Sequence, residues 1–195
     1  MKIKIIQFFE GIPPVVRIFL FRGTLFFLIF ETYFLTIEQK YRYINENLTN
    51  WVGNSTIWFL NLLEGSSEFY GVSGVSRVFE QATWKVSNVI DIYHSKGKVL
   101  HIADGCNGFE MFALFIGFLF AVPGNNRLKW QYAFFGTPIL FIANTLRCGG
   151  LVKLYLINYQ SFDFAHHYLF KIVLYSLIFL LWYYFLSKVK LPKIQ

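Results

Sequence analysis

The stretch YLFKIVLYSLIFLLWYYFL, Tyr168 to Leu186, decides the fold class. It carries one charge, Lys171, near its start. At about 1.5 Å of rise per helical residue it reaches across most of a hydrocarbon core roughly 30 Å thick. Working outward, three more apolar stretches follow the same rule: about Val15 to Thr36, about Phe109 to Val122, and about Trp130 to Ile157. The first is interrupted by Arg17, Arg22 and Glu31, and arginines near a span start can snorkel to the headgroups. The third contains Pro138 and the pair Gly149-Gly150.

Composition agrees with this reading. Of 195 residues, 55% are hydrophobic, 21% aromatic and 15% charged, and the mean hydropathy is +0.45. Soluble domains carry roughly 25% charged residues. Disorder is excluded, because it needs low hydrophobicity and high charge. With only Cys106 and Cys148, a disulfide scaffold is excluded too. The formal charge of +7 does not indicate a nucleic-acid partner, because in so apolar a chain basic excess marks the cytoplasmic flanks of membrane spans. The partner implied by composition is the lipid bilayer.

The expected fold is therefore an all-α polytopic membrane protein, one domain over residues 1–195. It has about four transmembrane helices, at about 15–36, 109–122, 130–157 and 168–186. The N-terminal stretch lacks a small-residue cleavage site and reads as a retained anchor. Lys2, Lys4, Arg17, Arg22, Arg127, Lys129, Lys188, Lys190 and Lys193 make nine of the 18 basic residues. Placing them inside puts both termini in the cytoplasm. The segment about 38–106 is then extracytoplasmic. Within it, Ile57 to Leu63 is apolar but short, and with Trp51 and Trp58 it suits an interfacial helix around Asn50 to Leu63 that either spans or lies on the membrane. After Tyr70, glycines separate short stretches such as Ser76 to Phe79 and Lys98 to Ile102, which read as a small β-hairpin region, with Lys96-Gly97-Lys98 as a turn.

In a chain with so few charges, polar groups at the membrane edge carry the information. Cys106 stands at the start of the second span, where the positive end of the helix dipole favours a thiolate. Gly105 and Gly108 beside it allow close approach. The alternative is an inert residue in a turn. Arg147, in the outer half of a long apolar helix, stays protonated and needs water, an anion or a carboxylate. It either snorkels or serves as a fixed cation for a developing oxyanion. Asn144, three residues earlier, shares its helical face. His166 and His167 open the last span and can exchange protons near neutral pH, or are merely interfacial imidazoles. Asp163 orients a ring or caps the helix. Asp104 and Glu110 flank the cysteine as lining groups or helix-start carboxylates. Cys148, adjoining Arg147, points to a different helix face and reads as a packing residue. His94 and His101 lack matching ligand spacing, so no metal site is expected. Nucleotide-binding and hydrolase signatures are also missing.

Taken in order, Cys106-x-Gly108 at a span start, Asn144-x-x-Arg147 in the next span and histidine at the start of the last resembles the exosortase/archaeosortase family. The resemblance covers about Asn54 to Trp182. The Asp104-Gly-Cys-Asn-Gly108 and Phe162-Asp-Phe-Ala-His-His-Tyr-Leu-Phe-Lys171 versions are similar to small single-module members from Bacteroidetes-type bacteria. Asn107 stands where larger members often have serine, and the additional spans of larger members are missing. The resemblance implies a cysteine protease or transpeptidase of the bacterial cytoplasmic membrane, its site facing the periplasm. It would process C-terminal sorting signals of exported proteins, alongside export-system membrane partners, without metal or organic cofactor. Cys106 then takes the nucleophile role, Arg147 that of assisting cation, and His166 or His167 that of base. His166 is preferred because the family histidine precedes an aromatic or apolar pair and then the helix body. Two other classes remain: a non-catalytic membrane component of a surface-protein or polysaccharide export system, and a thiol redox protein using both cysteines.

Overall fold

The computed structural model describes residues 11–80, 83–95 and 97–190. Helix α1 runs Pro14–Tyr41, with a π-helical turn at Phe34–Glu38. Proline at its first position suits a helix start, since the N–H it lacks would have no partner there. Helix α2 follows at Tyr43–Glu64, then strands β1 (Tyr70–Glu80), β2 (Thr83–His94) and β3 (Gly97–Ala103). Helix α3 is Phe109–Ala121, α4 Asn126–Ile157 and α5 Tyr159–Lys188, the last with a π-helical turn at Ala165–Leu169.

Among the described residues three helices, α1, α4 and α5, are long and apolar enough to cross a membrane. Helix α3, the expected second span, has 13 residues, or about 20 Å of rise. It packs against α1, α4 and α5. Phe115 is its fully buried anchor, and its ring occupies the space a side chain at Gly136 would need. Phe118 stacks on Trp182 of α5 at 4.1 Å and meets Phe19 of α1 edge-on at 5.7 Å. At the opposite end from Cys106, Lys129 is 1% exposed, and its ammonium donates to the Phe120 carbonyl at 3.4 Å. A residue expected as a plain orientation charge thus closes the C-terminal end of α3.

Three boundaries differ from expectation for local reasons. Helix α4 starts at Asn126 because the Asn125 side chain accepts from the Arg127 N–H. Helix α5 starts at Tyr159, well before Tyr168, because Asn158 caps it on the Gln160 and Ser161 N–H groups. Asp163, His166 and His167 are therefore helical residues and do not precede the helix. Helix α2 begins at Tyr43, ahead of the expected Asn50. It buries Val52, Thr56 and Leu60 and exposes Trp51 and Trp58.

The expected hairpin is a three-stranded antiparallel sheet in the order β1-β2-β3. The middle strand was missed because its alternation is broken by polar residues that pair inward, such as Ser87. Of the expected turn, Lys96 lies outside the described residues, while Gly97 takes the positive φ of 118° that a tight reversal needs. The sheet packs on α2, where Gly53 leaves room for the Ile90 side chain. Helix α2 in turn meets α4, where Phe59 fills the space beside Gly149. The sheet and α2 form a cap over one end of the helices, and the chain leaves β3 directly into Cys106.

Candidate functional site

Cys106 ends a single 3-10 turn, Asp104–Cys106, between β3 and α3. The first residue of this turn and the residue that follows it are both held from outside. The Asp104 carboxylate accepts from the Thr49 hydroxyl at 2.7 Å and from the Asn88 N–H at 3.0 Å. Asn107 is fully buried. Its amide donates to the Asn45 side chain at 2.9 Å and to the Thr49 hydroxyl at 3.1 Å. Its side-chain carbonyl accepts from the Phe109 N–H at 2.8 Å, one of the open donors at the start of α3. The turn is thereby bonded to α2 on one side and to β2 on the other.

Glu38 completes this scaffold. It is 1% exposed, and it accepts from Tyr33 at 2.8 Å and from the Ile44 and Asn45 N–H groups at 3.0 and 2.6 Å. A carboxylate from the end of α1 thus satisfies the open donors at the start of α2. The burial of Asn45 next to Asn107 follows from that contact.

From the other side, α4 delivers two donors to one acceptor. Asn144 donates to the Cys106 carbonyl at 3.1 Å and Arg147 at 3.0 Å. They lie one turn apart and so share a face. Gly108 has φ of 87°, and a side chain there would sit 3.2 Å from the Asn144 amide nitrogen. Its glycine is required both by conformation and by that approach. The Arg147 Nε is buried without a hydrogen-bond partner among the described residues.

Cys148 departs from expectation. Its sulfur lies 3.9 Å from the guanidinium and 4.0 Å from the Cys106 carbonyl. The turn lies against α4 broadly enough to meet neighbouring residues of that helix. Cys148 is nonetheless 2% exposed, as a packing residue would be, and both cysteines are free thiols.

Cys106 opens on a cavity of about 730 Å³ that is also lined by Asn144, Arg147, Glu110, Lys171 and Tyr175. The histidines do not line it. His167 is exposed and pairs with Asp163, at 3.0 Å to the carbonyl and 3.2 Å to the carboxylate. His166 is half-buried and stacks on Phe162 with centroids 5.7 Å apart. Of the expected site, Cys106, Asn144, Arg147 and Gly108 come together. Asp163, His166 and His167 form a second group, joined to one another and outside the cavity lining. Glu38, Thr49, Asn107 and Lys171 were not anticipated. The one readable signal was Glu38, an uncompensated acid at the end of an apolar run.

His94 has company that its sequence neighbourhood does not disclose. Glu64, Glu68 and His94 bring their ligand atoms within 4.8 Å of one another. Lys153 occupies Glu64 and the imidazole sits 2.9 Å from Glu68, so the group reads as an ion-pair cluster joining α2, β2 and α4.

A family model for transmembrane exosortases matches residues 12–185. No curated protein and no solved structure matches the chain.

Proposed function

The chain belongs to the transmembrane exosortase family, and from that premise we propose that this multi-pass membrane protein is a thiol peptidase or transpeptidase acting on C-terminal sorting signals of exported proteins. The observation that carries the reading is the convergence of Asn144 and Arg147 on the loop of the cavity-facing thiol. In this reading α3 is a fourth crossing, both termini lie in the cytoplasm, and the Cys106 cavity faces the periplasm.

The chemistry is acyl transfer. His166, which stands outside the cavity lining, takes the thiol proton by way of an intervening water, and the Cys106 sulfur attacks a backbone carbonyl of the sorting signal. The tetrahedral oxyanion forms beside the guanidinium, whose fixed charge is worth more in a site sheltered from water. The departing amine takes a proton from the imidazolium. An acceptor amine or water then breaks the thioester.

The test is chemical trapping. Hydroxylamine should release an acyl fragment from the wild-type protein and none from Cys106→Ala. Equal release from the two would end the proposal. A redox reading draws on the approach of Cys148 to the Cys106 loop. The two readings separate at Cys148→Ala, which leaves acyl transfer intact and abolishes thiol exchange.

A further inference from the structure

We propose that the substrate binds as an added β-strand beside β2, in the lane that β3 vacates at Asp104; this rests on the peptidase reading and specifies how its substrate is held. Strands β1 and β2 pair from Glu80↔Thr83 to Tyr70↔Tyr93. Strand β3 pairs with β2 only from Val89↔Ala103 to His94↔Gly97. Beyond Val89, β2 therefore has, among the described residues, a strand neighbour on one side only. The chain leaves this lane because the Asp104 carboxylate takes the Asn88 N–H, in place of a next backbone carbonyl.

That bond also orients the lane. Backbone groups of alternate residues in an antiparallel strand point to the same side. With Asn88 facing the β3 side, the N–H and C=O of Val86 face it too. Among the described residues nothing pairs with Val86 there. Val86 is 50% exposed, and Val86 and Ser87 line the same cavity as Cys106. The open edge and the nucleophile thus share one space.

The occupant that fits is an extended polypeptide. A strand added at the usual spacing of about 4.8 Å from β2 gains backbone hydrogen bonds without requiring particular side chains. The turn that ends β3 carries Cys106, so a chain continuing in the lane of β3 passes the thiol with its carbonyls presented. A helical substrate could not use this edge.

The test uses the full chain in lipid nanodiscs. The probe is a peptide spanning the cut site of the exported protein that stays uncut in Cys106→Ala cells, N-methylated at one residue at a time. Methylation should raise KM about tenfold at alternate positions and less than about twofold between them, as expected for losing single backbone bonds. Val86→Pro removes the edge donor, a change tolerated where the N–H has no strand partner, and should raise KM about tenfold with kcat nearly unchanged. Iodoacetamide labelling of Cys106 with Cys148 spared reports that the variant is folded; should Cys148 label too, the methylation series decides alone. Uniform or absent sensitivity to N-methylation overturns the strand-addition proposal while leaving the peptidase reading standing. Absence of any Cys106-dependent cutting overturns both.

Discussion

Arg147 and Asn144 direct their donors at the same backbone oxygen, and that shared acceptor sets what each can be replaced by. A lysine at 147 keeps the charge but loses the planar fork that reaches the Cys106 carbonyl and the cavity together. Arg147→Lys should lower the rate of reporter processing by about 10²- to 10³-fold, as for loss of an oxyanion donor, with membrane insertion unchanged by immunoblot. Gly108→Ala should destabilise by about 1–2 kcal/mol, the usual cost of a left-handed backbone for a side-chain-bearing residue. Thermal unfolding in detergent measures it. Cys106 and Arg147 were legible because a thiol and a cation stand out in an apolar chain. Asn107 was not, because its role comes from Asn45, 62 positions away.

Among the elements, α2 depends most on a residue outside itself. Its first N–H groups are closed by Glu38, and Arg42 between them takes a φ of 54° to let the chain turn back. Glu38→Ala leaves two helix-start donors open, the buried Asn45 N–H among them, and should cost about 1–3 kcal/mol. Glu38→Gln, which keeps an acceptor, should recover part of that loss in the same denaturation experiment. The existence of the long helices was readable from apolar length alone. Their ends were not, because they rest on caps and π-helical turns. The sheet was half readable: glycines marked its turns, but β2 mixes apolar and polar residues on a surface whose two sides are both packed.

For the whole molecule, the two thiols differ in what surrounds them. Cys106 opens to the cavity, while Cys148 is 2% exposed. A membrane-impermeant maleimide added to intact cells stripped of their outer membrane should modify Cys106 and spare Cys148 until detergent denaturation. Labelling of Cys106 only from the cytoplasmic side would reverse the proposed topology. The result is read by mass spectrometry of the two cysteine peptides.

Sequence alone determined that this protein is apolar enough to need a membrane, roughly where its helices lie, and which reactive groups stand at their ends. Those properties follow from composition and from apolar lengths, which act locally along the chain. The tertiary structure decided which of those groups meet. It brought Asn144 and Arg147 to the Cys106 carbonyl and left the histidines out of the cavity lining. It also tied the turn to α2 through Glu38 and Asn107, and left β2 with an open edge. Each of these is a contact between segments distant in the chain. Their geometry exists only once α2 and the sheet pack on α4.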